Sequence, residues 1–239
     1  MLKITNKNLE EIIYEIPEHY LVLDIGGAAA PLKRANHIID YISYEQINWS
    51  QAKGGDQVYF NKNTYTQFDI CSRKEWPFDD KFFDFSYCSH VLEDIRDPLW
   101  VCSEIIRVSK SGYIEVPSRI YESMFKIDSR FFAGASHHRW IIDIYNKKLR
   151  FTFKNYYIHS KYLNKTKTDK KNKDNLILKI EWSDSFDYFE NWLNSGKEMF
   201  EFILDKKISE KQKWNIYRKT GNHKFFGGLL RYIKRIIKK

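Results

Sequence analysis

The stretch Leu21–Gly27, which reads LVLDIGG, constrains the fold more than any other feature of the sequence. Its nearly continuous apolar run predicts a strand that is buried on both faces, as the strands of parallel sheets are. Gly26 and Gly27 follow at once and predict a tight turn. Because glycine has no Cβ, the backbone of such a turn can approach a ligand closely. We therefore expect a parallel α/β sheet with a ligand site at the end of this strand.

The rest of the first half of the chain alternates between strand and helix patterns. A first helix is expected near Asn8–Ile16 and ends before Pro17. A later helix is expected from Leu99, with apolar residues at helical spacing, and Ser111-Gly112 is expected to end it. Further strands are predicted at His37–Tyr41, Tyr65–Ile70, Phe82–Cys88 and Tyr113–Val116. This alternation indicates a doubly wound, Rossmann-like, mostly parallel sheet.

The pattern changes in the second half. Arg139–Tyr145 and Leu149–Phe153 are separated by a short polar turn and predict an antiparallel hairpin. The lysine-rich stretch Lys161–Asn175 is expected to be an exposed loop. It is followed by a predicted strand at Leu176–Trp182 and a predicted helix at Phe186–Leu204. We accordingly divide the chain into a Rossmann-like domain, residues 1–155, and a basic C-terminal extension, residues 156–239.

Three acidic residues follow three successive predicted strands. Asp24 lies in the first strand, Asp40 ends the second, and Asp69 follows the third. Carboxyl ends of parallel strands meet at one edge of the sheet, where such sheets bind ligands. There Asp40 can accept hydrogen bonds from two ribose hydroxyls, and Asp69 can accept one from an exocyclic adenine amine.

At this point the chain resembles a known family. The segments VLDIGG, FDI, WPFDDKFFDFSYCSHVLEDIRDP and SEIIRVSKSGYIEVPS are similar to the successive motifs of class I S-adenosylmethionine-dependent methyltransferases of the small-molecule type. The resemblance covers about residues 20–118, and residues 76–98 are its most specific part. It implies S-adenosylmethionine as cofactor. It also implies an antiparallel strand added to the parallel sheet, for which the late hairpin is the candidate.

The resemblance implies a role for individual positions. Asp24, Gly26 and Gly27 would lie near the methionine moiety, Asp40 at the ribose, Asp69 with Ile70 at the adenine, and Ser89 with His90 between cofactor and acceptor. The chain departs from the family pattern at one place. The usual third glycine is replaced within Ala28–Ala30, and Pro31 follows so soon that the usual first helix must be short or absent.

The candidates for acceptor chemistry are histidines. His90, His137 and His138 are each candidates for the base that removes the proton of an acceptor hydroxyl, because the ordinary pKa of histidine is near neutrality. Arg139 directly follows two of them and can bind a phosphate or carboxylate of the substrate. No metal site is predicted, because a third and a fourth ligand do not appear at a recognisable spacing.

Charge and composition bear on partners and location. The net charge of +9 is concentrated in residues 121–239, which carry 27 basic and 13 acidic residues, whereas residues 1–120 carry 13 and 18. Residues 229–239 predict a basic amphipathic helix, which would either lie on an anionic membrane surface or dock on the domain. The three cysteines are too few for a disulfide framework, and no signal peptide or membrane span is apparent. The expected location is cytoplasmic, with the option of peripheral contact at the inner membrane face.

The leading interpretation is an enzyme that methylates an oxygen of a small or glycan-type acceptor, such as a sugar linked to a phosphate or a lipid carrier. An RNA methyltransferase is a second interpretation, and nucleic acid is the less favoured partner because the lysines lack interleaved aromatic residues. A catalytically silent methyltransferase fold that acts as a binding partner is a third. A nicotinamide-dependent dehydrogenase is disfavoured by the incomplete glycine fingerprint.

Overall fold

The computed structural model of the chain describes residues 1–129, 131–159 and 176–204. Two predictions therefore lie outside the described residues, the lysine-rich loop at Lys161–Asn175 and the basic amphipathic helix at 229–239. Within the described residues, no helix is long and apolar enough to cross a membrane.

A seven-stranded, mostly parallel sheet forms the centre of the fold and confirms the predicted fold class. Its strands are β1 (Leu2–Ile4), β2 (Val22–Ile25), β3 (His37–Asp40), β4 (Tyr65–Gln67), β5 (Phe83–Ser89), β6 (Ser109–Pro117) and β9 (Ile177–Ser183). The strand order is β1-β9-β6-β5-β2-β3-β4. Five adjacent strands, β4, β3, β2, β5 and β6, are parallel to one another. Strand β9 is antiparallel to both of its neighbours, β6 and β1.

The direction of winding reverses between β2 and β5. The chain proceeds from β2 outward to β3 and β4, and then returns to place β5 on the other side of β2. In open α/β sheets, ligands bind in the crevice outside the carboxyl ends of the strands at such a reversal. The residues after β2, β3, β4 and β5 are therefore the ones that the topology brings together.

The helices follow local sequence signals. Helix α1 (Leu9–Glu15) begins with Asn8 in a capping box with Glu11, and helix α2 (Pro98–Val108) begins with the side chain of Asp97 accepting a hydrogen bond from the amide of Trp100. Between β2 and β3, as Pro31 predicts, the usual first helix is reduced to a single 3₁₀ turn, Gly27–Ala29.

The predicted end of α2 at Ser111-Gly112 is wrong. The helix ends at Val108, and residues 109–117 form β6. Gly112 is needed there for a different reason: a Cβ at this position would collide with the backbone oxygen of Ser86 on the neighbouring strand β5. This glycine therefore permits strand packing and does not cap a helix.

The predicted helix at Phe186–Leu204 is only partly correct. Tyr188–Asn191 forms a strand, β10, and the helix α4 is confined to Gly196–Leu204. Strand β10 pairs in parallel with β8, and Asn191 donates a hydrogen bond to Thr152 on that strand. Pairing with an available strand edge outweighed the helical spacing of the sequence.

The predicted hairpin forms, but not where the family resemblance placed it. Strands β7 (Trp140–Tyr145) and β8 (Lys148–Phe153) are antiparallel and lie with β10 in a separate three-stranded sheet. The antiparallel position in the main sheet is occupied by β9. The boundary after residue 155 consequently does not separate the two sheets. Strand β9 of the main sheet follows this boundary, whereas β7 and β8 of the small sheet precede it.

The main hydrophobic core joins the two sheets. Its members include Trp76, Phe83 and Ile105 from the Rossmann-like part and Trp140 and Phe151 from the small sheet. The three cysteines are free and buried, as expected of reduced core residues. A short helix, α3 (Arg119–Ser123), follows β6 and leads into the segment that precedes β7.

Candidate functional site

The turn after β2 depends on both of its glycines. Gly26 has a φ of +68°, and a Cβ there would lie 2.6 Å from a methyl group of Val91. A Cβ on Gly27 would collide with the carboxylate of Asp24. That carboxylate is buried and accepts a hydrogen bond from the amide of Leu32 at 2.8 Å. Through this hydrogen bond Asp24 holds the loop after the turn. Burial raises the pKa of the Asp24 carboxyl to about 7.

Asp40 connects this turn to the end of β3. One carboxylate oxygen accepts a hydrogen bond from the amide of Ala28 and the other from the amide of Ile42, each at 2.9 Å. A carboxylate oxygen has two acceptor sites, so each oxygen of Asp40 retains one for a hydroxyl of a ligand. The side chain is buried, which fixes its direction.

Asp69 is held in a comparable way after β4. Its Oδ1 accepts a hydrogen bond from the amide of Cys71 at 2.9 Å, and its Oδ2 accepts one from the guanidinium of Arg96 at 2.7 Å. Arg96 also donates to the carbonyl of Cys71 at 2.7 Å. This arrangement leaves one acceptor site free on each oxygen of Asp69. Sequence reasoning missed Arg96, although it lies in the most specific segment of the resemblance.

These elements enclose a cavity of about 700 Å³ at the carboxyl edge of the sheet. A cavity of this size falls within the usual range for small-molecule sites. The predicted site residues that line it are Gly26, Asp40, Asp69, Ile70, His90 and Arg139. Residues that line it but were not predicted include Tyr41, Ile42, Cys71, Val91, Asp94 and Arg96. Asp24, Gly27, Ser89, His137 and His138 are not among its lining residues.

Ser89 lies behind the cavity in a polar network. Its hydroxyl donates a hydrogen bond to Glu115 at 3.2 Å and accepts one from Lys53 at 3.4 Å. Ser89 therefore supports the end of β5, next to His90, which does line the cavity.

His90 is bound to two carboxylates. Its Nε2 lies 3.4 Å from Glu115 and its Nδ1 lies 3.1 Å from Glu93. These carboxylates, that of Glu115 most strongly, raise the pKa of His90 to about 9. The imidazole is thus protonated near neutral pH, and a protonated ring has no lone pair with which to take a proton. The geometry disfavours His90 as the base.

His137 and His138 form a cluster with Asp94. The Nε2 atoms of the two histidines each lie 3.9 Å from Asp94 Oδ1, and the three polar atoms all lie within 4.8 Å of one another. The Nδ1 of His138 is hydrogen-bonded to the buried carboxylate of Glu122. Burial lowers the pKa of His138, but the hydrogen bond and charge of Glu122 outweigh this and raise it above its ordinary value.

The cluster is assembled by backbone pairing between two distant segments. The amides of Arg139 and Trp140 both donate to the carbonyl of Glu93, at 2.7 and 3.1 Å. The indole of Trp140 donates to the carbonyl of Ile95 at 3.0 Å. These bonds fix the start of β7 beside the loop after β5, so that His137 and His138 lie next to Asp94. Because 43 residues separate Asp94 from His137, no local spacing reveals the cluster.

Arg139 lines the cavity with an exposed side chain. Among the described residues, its guanidinium has no side-chain hydrogen bond or ion pair, in contrast to Arg96 at the same cavity. Arg139 is therefore able to receive an anionic group from a ligand.

Comparison with known proteins agrees with this geometry. Residues 26–114 match the family model of the methyltransferase domain. A search of curated proteins gives no match.

Among solved structures, the chain is similar to the YcgJ protein of Bacillus subtilis, with 22% identity, 46% of this chain and 50% of that chain covered, and a TM-score of 0.33. It is similar to an S-adenosylmethionine-dependent methyltransferase of Aquifex aeolicus, with 18% identity and a TM-score of 0.33, over 47% of this chain and 65% of that chain. It is also similar to an S-adenosylmethionine-dependent methyltransferase of Mesorhizobium loti, with 15% identity and a TM-score of 0.33, over 63% of this chain and 67% of that chain. The aligned part of the chain thus spans half to two thirds of these structures.

The residues at the cavity fit the cofactor of this family. Asp40 and Asp69 present free acceptor sites at the ends of adjacent strands, and the turn at Gly26 leaves no side chain in the way. The matched segment begins directly after β2, contains β3 to β5, α2 and most of β6, and includes both carboxylates. Residues 26–114 of this chain thus match a methyltransferase domain, and the cofactor that this match implies is S-adenosylmethionine.

Proposed function

We propose that the protein transfers the methyl group of S-adenosylmethionine to an oxygen of a small or glycan-type acceptor that carries an anionic group. The observation that carries this proposal is the composition of the cavity wall. Acceptor oxygens of Asp40 and Asp69 line one part of it, and Asp94 and Arg139, next to two histidines, line another.

The first part of the wall suits the cofactor. Asp40 would hold the ribose hydroxyls, and Asp69 with Ile70 would hold the adenine. The turn at Gly26 would accommodate the methionine moiety. When bound, the cofactor supplies an electrophilic methyl carbon and a neutral thioether as leaving group.

The second part suits an acceptor. Methyl transfer to a hydroxyl needs an oxygen held in line with the sulfur–carbon bond and a route for its proton. The cluster of Asp94, His137 and His138 would bind the hydroxyl and withdraw its proton. Glu122 supports this role because it holds the Nδ1 side of His138 and leaves Nε2 directed toward Asp94.

Arg139 supports the anionic character of the acceptor. A guanidinium at a cavity wall that has no partner among the described residues is suited to bind a phosphate or carboxylate in a bidentate manner. Sugar phosphates and lipid-linked sugar phosphates have this chemistry. An arginine at this position would select for them by charge and would leave the reacting hydroxyl to the neighbouring cluster.

The test is a transfer assay with methyl-labelled S-adenosylmethionine and three acceptor classes: nucleotide sugars, lipid-linked sugars and RNA. We expect label in a sugar acceptor, with kcat lowered about 10²-fold or more by His138→Ala and KM raised by Arg139→Ala. His19→Ala, at an exposed position away from the cavity, is the matched control and should be unaffected. Label in RNA alone would overturn the acceptor class, and a chain that binds no cofactor would overturn the activity.

A further inference from the structure

We propose that Asp94, His137 and His138 form a binding site for a divalent transition-metal ion, with zinc as the best-matched ion. Metal binding stands on the geometry of these three residues. Its use in catalysis, as an anchor for the acceptor oxygen, rests on the proposed function. With zinc bound, the two imidazoles are ligands, so the ion would take over their role and promote loss of the hydroxyl proton by lowering its pKa.

The donor set is complete for an open metal site. Two imidazole Nε2 atoms lie 3.9 Å from one carboxylate oxygen, and all three atoms lie within 4.8 Å of one another. A tetrahedral zinc ion with bonds of about 2.0–2.1 Å requires ligand separations of about 3.3 Å. The side chains of His137 and Asp94 are 67% and 40% exposed, so closing these separations requires small movements of these two side chains around the buried His138.

One ligand is already oriented as metal-binding histidines are. A histidine that binds a metal through one nitrogen usually donates the other N–H to a carboxylate, which fixes the tautomer. Glu122 makes this bond to Nδ1 of His138, and Lys154 Nζ in turn holds Glu122 at 2.6 Å. Both Glu122 and Lys154 are buried, so His138 presents a fixed Nε2 toward Asp94.

The carboxylate lacks a hydrogen-bond donor. Asp94 Oδ1 is buried and accepts no hydrogen bond from the described residues, although a buried carboxylate oxygen without a partner is costly. Glu93 and Glu122 add further negative charge nearby, and His90 and Lys154 are already bound to carboxylates. A cation between Asp94 and the two imidazoles would supply the missing partner.

The ligand types select the ion. Imidazole nitrogens favour zinc over magnesium and calcium, which prefer sites built entirely from oxygen ligands. Three protein ligands leave a fourth position open, as catalytic zinc sites do. Because Asp94 lines the cavity, a ligand in the cavity can reach that fourth position.

The experiment is a calorimetric titration of the tag-free, chelator-treated full chain with zinc chloride, with the variants Asp94→Asn and His137→Ala and the control His19→Ala. We expect one zinc ion per chain, an affinity reduced about tenfold or more in both site variants, and no change in the control. A cobalt-substituted sample should show d–d absorption without a thiolate charge-transfer band, which excludes the buried cysteines as ligands.

Two results would overturn the site: no zinc binding by the native chain, or equal affinity in the native chain and both site variants. His137 is exposed, so His137→Ala is expected to fold even if Asp94→Asn does not. Titration of the same samples with S-adenosylmethionine separates the two proposals. Cofactor binding without zinc binding refutes the metal site alone, whereas zinc binding without cofactor binding refutes the proposed function alone.

Discussion

The turn at Gly26 gives a stability prediction whose size follows from the structure. Gly26→Ala places a Cβ at a φ of +68°, which costs an L-residue roughly 1–2 kcal/mol. The same Cβ lies 2.6 and 3.1 Å from the two methyl groups of Val91, and overpacking of this kind typically costs about 1–3 kcal/mol. We therefore expect a total loss of about 2–5 kcal/mol in the free energy of unfolding.

The control for this change is Gly55→Ala. Gly55 also has a positive φ, +92°, but a Cβ there would meet no atom within 4 Å. This variant should lose only the backbone contribution, roughly 1–2 kcal/mol. For a chain of this size, the melting temperature should fall by about 4–20 °C in Gly26→Ala and by about 2–8 °C in Gly55→Ala.

The measurement is urea denaturation of four variants: Gly26→Ala, Gly55→Ala, Val91→Ala and the double variant Gly26→Ala/Val91→Ala. Removing the Val91 methyl groups should relieve the overlap. The double variant should then be less destabilised than the two single changes together, by about 1–3 kcal/mol. Equal losses in Gly26→Ala and Gly55→Ala, with no coupling to Val91, would refute this explanation of the turn.

Three further predictions concern buried or paired charges. Burial raises the pKa of Asp24 to about 7, so ionisation of Asp24 destabilises the folded native chain as pH rises from 4 to 8. Over this range Asp24→Asn should gain up to about 4 kcal/mol in stability relative to the native chain, and parallel pH curves from urea denaturation would contradict this. Glu115 and Glu93 raise the pKa of His90 to about 9, so His90→Gln should be less stable than the native chain below pH 6.5, and this loss should fade as pH rises through about 9. A pH-independent loss would argue against this pairing. Glu122→Gln should lower the free energy of unfolding by about 3–5 kcal/mol, because it leaves the buried ammonium of Lys154 without its carboxylate. The double variant with Lys154→Met should recover much of that loss, and no recovery would show that the ion pair is not the cause.

The sequence predicts several of the residues that line the cavity. Strands buried on both faces give near-continuous apolar runs, and the acidic residues at their ends, Asp40 and Asp69, lie where such sheets bind ligands. Gly26 is predicted from the glycine turn and Ile70 from the family resemblance, and both line the cavity. Local sequence is sufficient here because each strand carries its own site residue.

The sequence predicts only part of the cluster that His137 and His138 form with Asp94. Asp94 is adjacent to His137 only because amides at the start of β7 bond to the carbonyl of Glu93, and no sequence pattern indicates that pairing. Glu122 reaches His138 from yet another element, α3. A search for such a cluster at fixed local spacing fails when each segment contributes only one or two of its residues.

The errors in secondary structure also have a tertiary cause. Gly112 has the appearance of a helix stop, but its small size is required by close packing of β6 on β5. Tyr188–Asn191 lies within the predicted helix Phe186–Leu204, yet it pairs with the open edge of β8. In both cases a contact with a distant strand decided the conformation.

The identification of the cavity as a cofactor site is tested most directly by calorimetric titration of the full chain with S-adenosylmethionine. The structure predicts one cofactor per chain, with affinity strongly reduced in Asp40→Ala and unchanged in the exposed control Asp56→Ala. Binding of equal strength in Asp40→Ala would show that the ribose contact is misplaced. The absence of any heat at millimolar cofactor would contradict the assignment of this cavity altogether.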